Sequence, residues 1–268
     1  MLHLILSLVL AQAASTQALT IDAAKQQIEK IIAASGAEVA VAYKPLHDGA
    51  AGMLIDADKV FHAASTMKVP VMIELFRQAE AGQLSLDDPI TVTNNFKSIV
   101  DGSPYEMSAT EDSDGEVYKA IGKTMTLRQL VTASIIVSSN LATNILIEKV
   151  GAENVRKTVS ALGADGMLVL RGVEDQKAFD KGLNNATTAR ALMVLLEKIA
   201  KGDAVSRAAS RGMSDILRMQ QFNDAIPAGL PPDVPVGHKT GSITRINHDA
   251  AIVYAEKPYV LEIGRAHV

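Results

Sequence analysis

Between Thr20 and Ser35 the apolar residues Ile21, Ala24, Ile28, Ile31 and Ile32 recur at helical spacing, and Gly36 follows as a stop. The next run, EVAVAY, alternates and is rich in β-branched side chains, which predicts a strand. A turn at His47-Asp48-Gly49 leads to a second strand-like run within GMLIDADKVF, so the two form a hairpin. A helix is expected to open at Ser65, with Pro70 near its first turn, where a missing N–H costs little.

From Leu84 to Gly122 the pattern turns polar and turn-rich and ends in the acidic piece SATEDSDGEVYK, and a loop of that length usually shapes a site or is mobile. TLRQLVTASIIVSSNLATNILIEKVG then reads as one strongly apolar helix. NVRKTVSALGA, TTARALMVLLEKIAKG and SRAASRGMSDILRMQ continue the helical series, and VPVGHKTGSI, HDAAIVYA and YVLEI read as strands. This order predicts an α/β (α+β) chain, with an antiparallel sheet formed by both chain ends, flanking helices and an inserted all-α lobe. The expected boundaries are 14–62 with 220–268 for the sheet lobe and 63–219 for the helical one.

The two ends change the picture. MLHLILSLVLAQAAS has an apolar run from Leu2 to Leu10, too short to span a bilayer, before the small-x-small pattern Ala11-Gln12-Ala13. Residues 1–13 are therefore expected to be a secretion signal. The mature protein would be secreted or periplasmic, with no membrane attachment after processing. At the other end EIGRAHV has no cap and no charged tail and resembles a translated sequencing adapter, which would mean a chain cut short.

Composition narrows the chemistry. Of 268 residues 48% are apolar and the formal net charge is −4, which excludes a disordered chain and offers no basic field for nucleic acid. There is no cysteine, so disulfides, zinc thiolates and a cysteine nucleophile are out. The six histidines show no H-E-x-x-H spacing. Neither a metal nor a cofactor is expected.

The stretch FHAASTMKVPVMIELF admits two readings. Ser65 or Thr66 caps a helix, or Ser65 is a nucleophile and Lys68, one turn later on the same face, helps deprotonate it. Two other stretches follow in order: Ser138-Ser139-Asn140 beyond an apolar helix, and Lys239-Thr240-Gly241-Ser242 in a strand. Together with Ser65-x-x-Lys68 they resemble the Ser-x-x-Lys, Ser-Asp-Asn and Lys-Thr-Gly set of class A β-lactamases and penicillin-binding proteins. The resemblance covers nearly the whole mature chain. It implies a β-lactamase/transpeptidase-like fold, a small-molecule β-lactam or a cell-wall peptide as substrate, and a monomer.

A serine hydroxyl is a weak nucleophile until a base takes its proton. Lys68 serves if it is desolvated and close to another cation such as Lys239, since both favour the neutral amine. The resemblance further implies that Ser138 passes a proton between Lys68 and the leaving nitrogen, and that Asn140 holds the substrate's amide side chain. It sets Lys239 and Thr240 against the substrate carboxylate, and the backbone N–H groups of Ser65 and Ser242 as an oxyanion hole.

Three departures stand out. The middle motif is Ser-Ser-Asn rather than Ser-Asp-Asn. The family's Arg-x-Glu-x-x-x-Asn loop corresponds to LRGVEDQKAFDKGLNNATTA, where Arg171 stands three residues before Glu174 and Ala178 replaces the asparagine. Ala189 stands where the loop's closing proline would be. Glu174 is the candidate base for the deacylating water, Arg171 with Asp180 a candidate pair tying the loop, and Arg245 a candidate cation for the substrate carboxylate. Three functions remain open: a serine β-lactamase acylated on Ser65, a D-alanyl-D-alanine carboxypeptidase or penicillin-binding relative, and a slow-deacylating, non-catalytic lactam- or cell-wall-binding domain. An α/β-hydrolase esterase is disfavoured, because no G-x-S-x-G occurs.

Overall fold

The computed structural model of the protein describes residues 20–267, and the expected leader at 1–13 lies outside them. Thr20 accepts the Ala23 N–H at 3.2 Å and so caps α1 (Ile21–Ser35), which Gly36 ends in the left-handed conformation at φ 64°. The hairpin follows as β1 (Ala37–Pro45) and β2 (Met53–Ile55), and then the short β3 (Phe61–His62). A 3₁₀ turn over Ala64–Met67 feeds α2 (Lys68–Glu80), whose Pro70 falls in the first turn.

The polar stretch beyond it holds β4 (Pro89–Thr91), β5 (Phe96–Lys97), β6 (Pro104–Tyr105) and β7 (Thr124–Thr126), paired β4 with β7 and β5 with β6. The helices α3 (Leu127–Ile136), α4 (Asn140–Val150), α5 (Ala152–Ala161) and α6 (Gln176–Asp180) come next. After β8 (Ala186–Thr187), α7 (Ala189–Lys201) and α8 (Arg207–Leu217) precede the closing strands. These are β9 (Val236–Ile243), β10 (Ile246–Val253) and β11 (Tyr259–His267).

Five strands form one antiparallel sheet in the order β2-β1-β11-β10-β9, so the first and last strands meet at β1 and β11. Side chains alternate across it. Ala40, Ala42, Ala250, Ile252 and Val260 join the main core, on the face where α7 packs against β1, β10 and β11. On the opposite face Val41, Met53 and Ile55 meet Ile21, Ile28 and Ile32 of α1, while Ala251 and Val253 meet Ile226 from the chain before β9.

The structure corrects three readings. The segment 63–219 is mainly helical rather than all-α, since it carries the small β4–β7 and β5–β6 ladders, and its β8 pairs with β3 just outside it. The long apolar helix is two helices. The break falls at Val137–Ser139, where Ser138 takes a left-handed φ of 57° and the Ser139 hydroxyl caps α4 by accepting from the Ala142 N–H. Neither Ser65 nor Thr66 caps a helix: the 3₁₀ turn and α2 have no side-chain cap, and the Thr66 hydroxyl donates to Ala63 O at 2.6 Å. In β11, Glu262–His267 pair in register with Ala42–Ala37 of β1. Glu262 lies opposite Ala42 on one side and Ala250 on the other.

Candidate active site

Ser65 sits in the 3₁₀ turn at the floor of a cleft of about 930 Å³, which Ser138, Asn140, Thr240 and Ser242 also line. Ala64, beside it, is held at φ 45° and donates its N–H to His62 Nδ1 at 3.0 Å. β9 is the edge of the sheet and runs past this turn. A Cβ on Gly241 would stand 3.0 Å from Thr66 Cγ2 and 3.2 Å from the Ser65 nitrogen, so only glycine lets the strand approach the serine this closely. An edge strand keeps alternate backbone groups unpaired, and here that edge faces the serine turn.

Two lysines lie fully buried behind this wall. Lys68 Nζ reaches Ser138 O at 2.6 Å, Asn140 Oδ1 at 2.8 Å and Ser138 Oγ at 3.1 Å. Lys239 Nζ reaches the same Ser138 Oγ at 3.0 Å and Thr240 O at 2.7 Å. One hydroxyl thus joins both amines. Burial pulls Lys68 down to about 7 although Asp112 and Glu174 oppose it, and burial with the neighbouring Lys68 charge pulls Lys239 well below the ordinary lysine range. A neutral Lys68 amine has two N–H groups for Ser138 O and Asn140 Oδ1, and a lone pair for a proton from a hydroxyl. That is the state a general base requires.

Asn140 carries the network onward. Its Oδ1 accepts from Lys68 while its Nδ2 donates to Glu174 Oε1 at 2.9 Å. Glu174 stands behind Asn140, half-buried, at φ 62° and outside the residues that line the cleft. Burial raises its pKa, tempered by the Asn140 hydrogen bond. The loop bearing Glu174 is pinched at its neck by mutual hydrogen bonds between Leu168 and Ala186, and β8 at that neck pairs with β3, which leads into the serine turn.

The expected Arg171–Asp180 pair does not form. Arg171, 5% exposed, donates to the carbonyls of Leu183 and Gly172 and to Asn184 Oδ1, while Asp180 accepts from Gln176. A guanidinium needs several acceptors when buried, and the folded-back end of its own loop supplies them without a carboxylate. Arg245 is also displaced from its expected place. It occupies the exposed turn between β9 and β10 at φ 67° and does not line the cleft, whereas Arg265 of β11 does.

Sequence reasoning missed three holders of the site. Asn144, one turn after Asn140 on α4, accepts from the Val173 N–H at 2.7 Å and donates to Val173 O at 3.0 Å, gripping the residue before Glu174. Asp112 of the acidic stretch accepts from the Asn140 and Leu141 N–H groups at 2.9–3.0 Å, the end of α4 where a carboxylate is favoured. Asp175 accepts from the Ser98 hydroxyl and the Ile99 N–H, tying the loop to the stretch between β5 and β6. The i, i+4 spacing of the two asparagines was the one signal available for Asn144.

Among the described residues no group of three or more His, Cys, Asp or Glu is placed to hold a metal. No helix there is long and apolar enough to cross a membrane.

Residues 23–264 match the Beta-lactamase enzyme family. The chain is 27% identical over 242 residues to a beta-lactamase of Bacillus licheniformis, an alignment covering 85% of this chain and 68% of that protein. It spans about two thirds of the length of the curated relatives it matches. Among solved structures, the beta-lactamase of Sphaerobacter thermophilus superposes with a TM-score of 0.78 at 25% identity, over 92% of this chain and 90% of that one. A mutant of PBP-A in its acyl-enzyme complex with penicillin G superposes with a TM-score of 0.76 at 25% identity, over 92% and 88% of the two chains. With the antiparallel sheet, the paired lysines around one serine hydroxyl and a match running from α1 into β11, the chain belongs to the beta-lactamase enzyme family.

Proposed function

We propose that this chain is a class A-like serine β-lactamase that opens the lactam amide through an acyl-enzyme on Ser65, acting as an exported monomer. The observation that carries this is Ser138 Oγ, held 3.1 Å from Lys68 Nζ and 3.0 Å from Lys239 Nζ at the wall of the cleft that Ser65 lines. The Ser65 hydroxyl gives its proton to the Lys68 amine as its oxygen bonds the lactam carbonyl carbon. The carbonyl oxygen takes the charge against the N–H groups of Ser65 and Ser242. When the C–N bond breaks, the nitrogen receives a proton from Ser138 Oγ, which Lys68 replaces. Lys239 and Thr240 face the substrate carboxylate, and Asn140 the amide of its side chain. Water then attacks the ester, Glu174 takes its proton, and Ser65 recovers its own as the acid leaves.

The test is incubation with penicillin and a chromogenic cephalosporin, following intact mass and product together. The wild type is expected to turn over many times, and Ser65→Ala to show neither adduct nor product. Full-strength labelling of Ser65→Ala would move the nucleophile elsewhere.

One observation favours a slower enzyme of the penicillin-binding kind. Ala178, where the family's loop has asparagine, is fully buried in α6 and has no polar group to help Glu174 hold a water. On that reading the acyl-enzyme accumulates, and intact mass shows the adduct persisting after free lactam is gone.

A further inference from the structure

α8 carries a stripe that the lactam chemistry does not use. Arg207, Ser210, Arg211, Ser214 and Arg218 recur at i, i+3, i+4, i+7 and i+11, one face of a helix. That face closes a hollow of about 430 Å³ together with the end of α7 at Ile199–Gly202 and with Tyr254. The hollow lies apart from the Ser65 cleft, and the two share no lining residue.

Charge is distributed unevenly here. The protein is net negative, yet this hollow gathers Lys201 and three arginines around a single carboxylate, Asp215. Lys201 is engaged with Glu197 at 2.7 Å. Arg207, Arg211 and Arg218 have no carboxylate within 4.0 Å among the described residues, where ion pairs of arginine are made by Arg77, Arg128 and Arg190 alone. Arg218 is set in place by its neighbours: its guanidinium lies 5.5 Å from the centre of the Tyr254 ring, and its stem passes the bare Cα of Gly237.

A second, independent observation concerns Ser210. It is 2% exposed, its Oγ has no hydrogen-bond partner among the described residues, and it lines the hollow. A buried hydroxyl without a partner costs free energy unless something supplies one. A helix serine turns out to solvent or bonds back to the preceding turn, and this one does neither.

We propose that this hollow is a second binding site, one that takes a phosphate-class anion. Planar guanidinium forks match phosphate oxygens two at a time, and the hydroxyls of Ser210 and Ser214 add neutral donors. Asp215 would accept from a hydroxyl of the ligand, which favours a phosphate monoester of a polyol over the bare ion. The site holds independently of the Ser65 chemistry, because its binding involves no lactam.

Calorimetric titration of the full chain at constant ionic strength tests this, with inorganic phosphate, glycerol phosphate and acetate as separate ligands. Saturable binding of one phosphate or glycerol phosphate per chain is expected, the ester the tighter, with acetate weaker by about tenfold or more. Arg207→Gln with Arg211→Gln should weaken phosphate by about tenfold or more, and Ser210→Ala by a smaller factor. Melting temperature and lactam turnover of these variants should stay near wild type, which separates lost binding from lost fold. Equal heats for all three anions, or phosphate binding unchanged in the double arginine variant, would overturn the proposal.

Discussion

Glu74 and Glu262 are equally removed from water, at 0% and 1% exposure, but their surroundings differ completely. On α2, Glu74 accepts two hydrogen bonds from Arg77 at 2.7 Å, one from Gln78 at 2.6 Å and one from Thr158 at 2.6 Å. Burial pushes its pKa up, and those bonds bring it below the ordinary value. On β11, Glu262 makes no ion pair within 4.0 Å among the described residues, and its Oε2 has no hydrogen-bond partner there. Burial and the Asp249 charge hold its pKa well above the ordinary range. The helical side of the molecule is built around its buried charges, whereas the last strand carries one among alanines. A buried ionised group is tolerated where the fold supplies donors and is expelled or neutralised where it does not.

Lys68 belongs to the partnered kind, and breaking its network should have the largest effect. Lys68→Met leaves Asn140 Oδ1 without its donor, Ser138 O with the Ser113 hydroxyl alone and Ser65 without its proposed base, so acylation by a chromogenic cephalosporin should fall ~10²–10⁴-fold in stopped-flow measurement. In the wild type the same rate should rise as pH passes through about 7, where Lys68 gives up its proton. A flat profile from pH 5 to 9 would assign the base elsewhere. Glu174→Gln spares Lys68, the proposed base for acylation, and keeps an oxygen for Asn140 to donate to, but it cannot take a proton. One product per enzyme should appear in a burst, followed by a steady rate ~10²–10⁴-fold slower. Unchanged steady turnover would make Glu174 a bystander.

Removing the charge from the satisfied site should cost more stability than curing the orphan gains. Glu74→Leu strands Arg77, Gln78 and Thr158 and should destabilise by about 3–5 kcal/mol in urea unfolding. Glu262→Leu should instead stabilise, by about 1–3 kcal/mol. The sign with pH follows from the raised pKa. Native Glu262 keeps a proton that the unfolded chain has lost, so its full contribution is present below the unfolded value of 4.5 and is lost as pH rises through the folded value. The gap between variant and wild type should therefore widen from pH 5 upward. A constant gap across that range would mean that Glu262 finds a partner when ionised.

Much of this was legible in the sequence, and the rest fails for identifiable reasons. Thr20 and Gly36 bracket α1 as their types predict, because caps are local chemistry. The order of Ser65, Lys68, Ser138, Asn140 and Lys239 marked the residues that the fold gathers around one cleft. The break between α3 and α4 was hidden, since every residue from Leu127 to Val150 is compatible with a helix by periodicity. It depends instead on Asp112, 28 residues upstream, holding the Asn140 N–H. The Arg171 partners were invisible for the same reason. They are carbonyls and an amide, which carry no charge pattern for a reader to match.

Five residues other than glycine adopt positive φ among the described residues, and three of them are Ala64, Ser138 and Glu174. One adjoins the proposed nucleophile Ser65, one carries the hydroxyl between the lysines, and one is the loop carboxylate. Each such conformation costs on the order of 1–3 kcal/mol and persists because its surroundings enforce it. On the proposed mechanism, selection for heat tolerance alone would therefore act against catalysis at these three places. Glycine at Ala64 would ease the turn but let Ser65 wander, and glycine at Ser138 or Glu174 would ease the backbone by deleting the side chain to which the proposed mechanism gives a step. A lineage of this protein adapting to heat should accept its stabilising changes elsewhere, on β11 first, and keep these three residues under load.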